Sequence, residues 1–125
     1  MFKVSQKQFE KVVAEAIDNI APTYQKHLSN VAFIVEGEAN AKQRQQLGLA
    51  DGDLLFGLYE GVPLPARGGG VKLLPDKITI FKKPLEQVSR DLVDLQDRVG
   101  RTVWHEVAHY YGLSHDRMYK LEAKK

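Results

Sequence analysis

Not one of the 125 residues is a cysteine. Disulfides, thiolate metal sites and a cysteine nucleophile are therefore excluded, and any transition-metal site has to be built from histidine and carboxylate. Long apolar runs are missing as well, and nothing approaches the roughly 18 apolar residues of a membrane-spanning helix. The first residues, MFKVSQKQFEK, hold neither an apolar core region nor a small-residue cleavage site. The expected location is the cytoplasm, with no membrane partner. A third absence is charge of one sign: the formal net charge is +2, which gives no reason to expect nucleic acid as a partner. What is left is ordinary globular composition, 43% hydrophobic and 27% charged, at a length that suits one domain over residues 1–125 with its own core. A monomer is expected.

The apolar pattern divides the chain. Phe9, Val12, Val13, Ala16, Ile17 and Ile20 recur at helical spacing and form one face. Ser5 and Gln8 read as a capping box at its start, and Pro22 as its stop. Val31 to Val35 reads as a strand buried on both faces. Residues 39–53 are polar and carry no clear signal, and Leu54 to Tyr59 reads as a second strand. The Gly- and Pro-rich run 61–70 is loop. Lys77 to Phe81 reads as a further strand, whose flanking lysines suit a sheet edge. From Pro84 a three/four spacing runs through Leu85, Val88, Leu92, Leu95, Val99, Val103 and Val107. This stretch is one long helix, or two with Gly100 as the interruption. It closes at Gly112, a natural left-handed C-terminal residue. The order argues for an α+β fold, with helices packed on a small antiparallel or mixed sheet.

The chemistry sits in His105-Glu106-Val107-Ala108-His109-Tyr110-Tyr111-Gly112-Leu113-Ser114-His115, which contains H-E-x-x-H extended to H-E-x-x-H-x-x-G-x-x-H. On a helix His105 and His109 stand one turn apart, roughly 6 Å in rise and ~40° in azimuth. Both imidazoles can then reach one zinc ion at about 2.0–2.1 Å. Val103 and Val107 lie on the other side of the wheel and pack inward. Glu106 is turned ~100° from His105, out of line as a ligand but within reach of water on the ion. Gly112 turns the chain back and offers His115 as a third nitrogen ligand. Three protein ligands leave a position for water, the pattern of catalytic rather than structural zinc. Glu106 is then the general base for attack on a carbonyl and returns the proton to the leaving amine.

The motif resembles that of the zincin metallopeptidases, and its extended form that of the metzincins. Over most of its length the chain is similar to the small bacterial minimal zincin-like metallopeptidases. Phe9, the entry Asn30-Val31-Ala32, the run Leu58 to Leu64, the strand Asp76 to Phe81, Arg101-Thr102-Val103 and Asp116 carry the likeness. The resemblance implies a zincin-like fold, a small mixed sheet against an N-terminal helix and a C-terminal active-site helix. It implies His105, His109 and His115 as zinc ligands, Glu106 as catalytic base, and a peptide or protein substrate. It also implies that Ile78 to Phe81 is an edge strand pairing with extended peptide. One departure stands out: metzincins place a Met-turn well beyond the third histidine, and Met118 is too close to form one.

Other residues carry two readings. Tyr110 and Tyr111 are packing residues with wet hydroxyls, or donors to an oxyanion. Asp116 is a partner holding His115, or a solvated turn residue. Trp104 reads as core, His27 as structural or exposed, and Arg98 with Arg101 as a solvated helix face. The glycines at 68–70 lack the Lys-Ser/Thr of a phosphate loop and suit a lip of the cleft. Two alternatives to a peptidase remain. One is a metal-dependent endoribonuclease of the rRNA-maturation type, whose H-G-x-x-H-x-x-G-x-D-H shares the offsets but not Glu106, and has Asp where this chain has Ser114. The other is a non-catalytic peptide-binding domain stabilised by zinc.

Overall fold

The computed structural model describes residues 2–63, 75–114, 116–117 and 120–121. Helix α1 spans Gln6–Asp18, with the Ser5 hydroxyl accepting from the Gln8 amide at 3.1 Å. Its buried residues Phe9, Val12, Val13 and Ala16 are the expected face. Pro22 does not stop it. The helix ends at Asp18, where the Gln25 side chain takes the carbonyls of Ile17 (2.7 Å) and Ile20 (3.0 Å). Pro22 instead opens α2, Pro22–Gln25, at a position where a missing N–H costs nothing. A 3-10 turn, Leu28–Asn30, leads into the sheet.

Among the described residues three strands form that sheet: β1 (Val31–Glu36), β2 (Gly57–Glu60) and β3 (Asp76–Phe81), in the order β1-β3-β2. β1 runs parallel to β3, with Val31 opposite Asp76 and Glu36 opposite Phe81. β2 runs antiparallel to β3, with Gly57 opposite Ile80 and Glu60 opposite Lys77. The expected α+β fold with a mixed sheet is what forms, but the strands exchange places. β1, expected to be buried on both faces, lies at one end of the sheet and is half-buried from Ala32 to Glu36. β3, expected at an edge, is the centre, with Ile78, Thr79, Ile80 and Phe81 fully buried. Of the lysines that suggest an edge, Lys77 lies within the strand and reaches Glu60 of β2 at 3.6 Å, and Lys82 follows the strand and turns to Glu86 at 2.9 Å. Ile78 to Phe81 therefore has a strand on each side and cannot pair with a peptide. The expected second strand starts only at Gly57. The polar stretch before it holds a helix, α3 (Ala41–Gln46), closed by a capping box between Asn40 and Gln43.

The long apolar pattern divides into α4 (Lys82–Val88) and α5 (Leu92–Tyr110). The break falls at residues 89–91 and not at Gly100. The Asp91 carboxylate accepts from the Asp94 amide at 2.8 Å and caps α5, while the Ser89 hydroxyl donates to the Leu85 carbonyl at 2.7 Å. Gly100 stays helical because the energies favour it. Leu95, Val99, Val103 and Val107 are all fully buried, at about 1.5–3 kcal/mol each, against a glycine cost of about 1 kcal/mol. That stripe packs on α1, β2 and β3 and forms the core with Phe9, Val12, Val13, Ile78 and Ile80. The glycines at 68–70 lie outside the described residues. Among the described residues no helix is long and apolar enough to cross a membrane.

Candidate metal centre

The inward stripe of α5 fixes which side chains the last turns present. Val103 and Val107 are buried in the core, so His105 and His109 emerge half-buried on the other side. Their rings stand 4.5 Å apart between centroids, with planes at 64°. Glu106 lies between them in sequence and is 5% exposed. Its Oε1 is 3.3 Å from Nδ1 of His109. That hydrogen bond pushes the His109 pKa above its usual 6.5; burial opposes the shift and the negative charge of Glu106 adds to it. With Nδ1 turned to Glu106, Nε2 is the nitrogen that His109 would offer to an ion.

One donor atom from each of His105, Glu106 and His109 lies within 4.8 Å of the others. Tetrahedral zinc with bonds of 2.0–2.2 Å needs donors roughly 3.3–3.5 Å apart. Small rotations of the half-exposed His105 and His109 rings bring their nitrogens to that spacing, with the Glu106 carboxylate beside them, and imidazole donors suit zinc. The residues present therefore fit such an ion.

The helix leaves as the sequence predicts. Gly112 has φ 70°. Its amide donates to the His109 carbonyl (2.9 Å), and that of Leu113 to Ala108 (3.0 Å), the two bonds of a Schellman turn. His115, the expected third ligand, lies outside the described residues, as does Met118. Asp116 is exposed.

Residues 28–125 match the zincin-like metallopeptidase family. The chain belongs to that family. The family suggests a metallopeptidase-type function and implies a metal ion, typically zinc, and the cluster of His105, Glu106 and His109 could hold one. A conserved hypothetical protein from Thermus thermophilus superposes with a TM-score of 0.59 and 17% identity, covering 97% of this chain and 100% of the other. At that identity the likeness is one of fold. No curated protein matches the sequence.

The tyrosines of this zincin-like chain take the packing reading. Tyr110 is fully buried, with its hydroxyl donating to the His27 carbonyl at 3.3 Å. Tyr111 donates to the Tyr24 carbonyl at 2.8 Å. Burial holds the Tyr111 phenol above its usual pKa of 10.0, with the hydrogen bond to the His27 backbone opposing. Together they tie the end of α5 to residues 24–27. Trp104 is core, 2% exposed, with Tyr24 packed edge-on at 5.1 Å. His27 is exposed. Arg98 and Arg101 pair one turn back with Asp94 and Asp97 on the solvated face. Sequence reasoning passes over Gly57, where β2 lies against α5 beside Glu106. A signal is there: an isolated glycine within a strand pattern marks a close approach.

Proposed function

We propose that this protein is a zinc-dependent peptidase-like hydrolase, with His105, His109 and His115 holding the ion and Glu106 as general base. The observation that carries this reading is the gathering of His105, Glu106 and His109 donors within 4.8 Å at the end of α5. Zinc, when bound, supplies a Lewis acid for the carbonyl and brings the pKa of water to about 7. The chain's own residues do the rest. Glu106 takes the proton of the attacking water and returns it to the leaving amine. Its low exposure keeps bulk solvent from the carboxylate, and its contact with His109 holds the two side chains in register. The peptide takes its place along β2, the outer strand beside α5 among the described residues, and not along β3, which is paired on both sides.

Metal analysis of the purified protein is the first test, with one zinc per chain expected and none in His109→Ala. Glu106→Gln should keep the zinc and lose peptide cleavage. A Glu106→Gln protein that still cleaves would remove Glu106 as base. RNA cleavage indifferent to that substitution would replace a peptidase with a nuclease.

A further inference from the structure

Strand β2 and helix α5 meet where there is no room for a methyl group. A Cβ placed on Gly57 would lie 2.7 Å from Cγ2 of Thr102, 3.1 Å from Cγ of Glu106 and 3.4 Å from the Thr79 carbonyl oxygen. Carbon atoms in contact prefer about 3.5–4.0 Å. Backbone conformation does not explain the glycine. Gly48, Gly52, Gly61 and Gly112 have positive φ, and Gly57 does not, so any residue can adopt its conformation. The requirement is for space.

The neighbours are not free to yield. The Thr102 hydroxyl donates to the Arg98 carbonyl at 2.8 Å, which fixes the rotamer that aims its methyl at β2. Glu106 stands one turn further on, buried, with its carboxylate against His109. Behind Gly57 lies the backbone of the central strand. The methylenes of Glu106 are thus confined between a bare stretch of strand and a histidine.

We infer that Gly57 is a positioning residue: its missing side chain is the seat of Glu106 and decides where that carboxylate stands relative to His105 and His109. This rests on the reading of Glu106 as general base given above. The competing explanation is plain helix–sheet packing, in which Thr102 is the neighbour that matters.

Two substitutions separate the explanations. Thr102→Ser keeps the hydroxyl that bonds Arg98 and removes the methyl that stands 2.7 Å from the added Cβ. In Gly57→Ala with Thr102→Ser, the tight side-chain contact that remains is the one to Glu106. Thr102→Ser alone is the reference, and the pair keeps the test open where Gly57→Ala by itself does not fold. Four quantities are measured: the melting temperature, kcat and KM on a peptide substrate, and the imidazole 15N signals of His105 and His109 in zinc-free protein.

The pair should melt close to the reference. Its kcat should fall about tenfold or more, because misplacement by 1 Å can cost about 100-fold. KM should hold, since alanine keeps the N–H and C=O of the strand, and the His109 signals should move as its contact with Glu106 changes. Reference kcat together with reference imidazole signals in the pair would overturn the assignment and leave Gly57 a packing residue. Absence of peptide cleavage by zinc-loaded wild type would defeat the peptidase reading instead. The imidazole signals would still decide whether Gly57 positions Glu106.

Discussion

Two buried glutamates sit on consecutive helices and are held in opposite ways. Glu86, on α4, is 3% exposed and is clasped by the Lys82 ammonium at 2.9 Å and the Val4 amide at 2.8 Å. That carboxylate joins the start of the chain to α4. Glu106, on α5, is 5% exposed, and its close partner is a half-buried, titratable imidazole. Burying a carboxylate is costly unless it is paired. A cation and a backbone amide hold a carboxylate in one place as a structural tie. A histidine at a helix end is itself a proton carrier and metal ligand, the company that a general base keeps. The difference teaches that burial alone does not mark a functional carboxylate, whereas the chemistry of its partner does.

The sharpest way to break this comparison is to neutralise each glutamate in turn. Glu106→Gln should lower kcat by about 10²–10⁴ with zinc retained, the range of a lost general base. Glu86→Gln should leave kcat near wild type, and a large loss there would erase the distinction. In stability the order reverses. Glu86→Gln leaves Lys82 without its carboxylate and should cost about 3 kcal/mol in urea unfolding. A neutral result would mean that the clasp contributes nothing. Gly100→Ala sharpens the comparison by providing a firmer background that touches neither glutamate. Nothing lies within 4 Å of the added methyl, so a gain of about 1 kcal/mol in the same assay is expected.

The smallest effect is one of pH. Glu106 raises the His109 pKa, so the fold favours the protonated imidazole. The resulting stabilisation of zinc-free protein is complete below the unfolded pKa of about 6.5 and fades as pH rises through the folded value. Melts of zinc-free protein should show the midpoint declining above about pH 6.5, and Glu106→Gln should lose that decline. Zinc competes for the same nitrogen lone pairs, so its affinity should climb over this window.

Local signals are legible in this sequence and relational ones are not. The Ser5 cap, the buried face of α1 and the turn at Gly112 each follow from residues within a few positions of one another, and all three form. The half-buried setting of His105 and His109 follows from the valines beside them. Sheet order is different. The lysines in and after β3 suggest an edge, yet its neighbours β1 and β2 come from residues 31–36 and 57–60, and no local pattern states which strand lies between the others. The break between α4 and α5 is hidden because Leu85, Val88 and Leu92 keep helical spacing straight across it. Asp91 with Asp94 and Asn40 with Gln43 are cap signals in plain view. Gly57 is signalled as a close approach, but what approaches it is hidden for the converse reason: Thr102 and Glu106 stand far away along the chain.

The chain has a single tryptophan, and it is the residue immediately before His105. Trp104 sits in the core with Tyr24 edge-on, and Tyr24 is in turn tied to Tyr111 at the helix end. Fluorescence excited on the red edge, where tyrosine does not absorb, therefore has one emitter, built into the helix that carries the cluster. Any tilt of that helix can be followed in real time without a label.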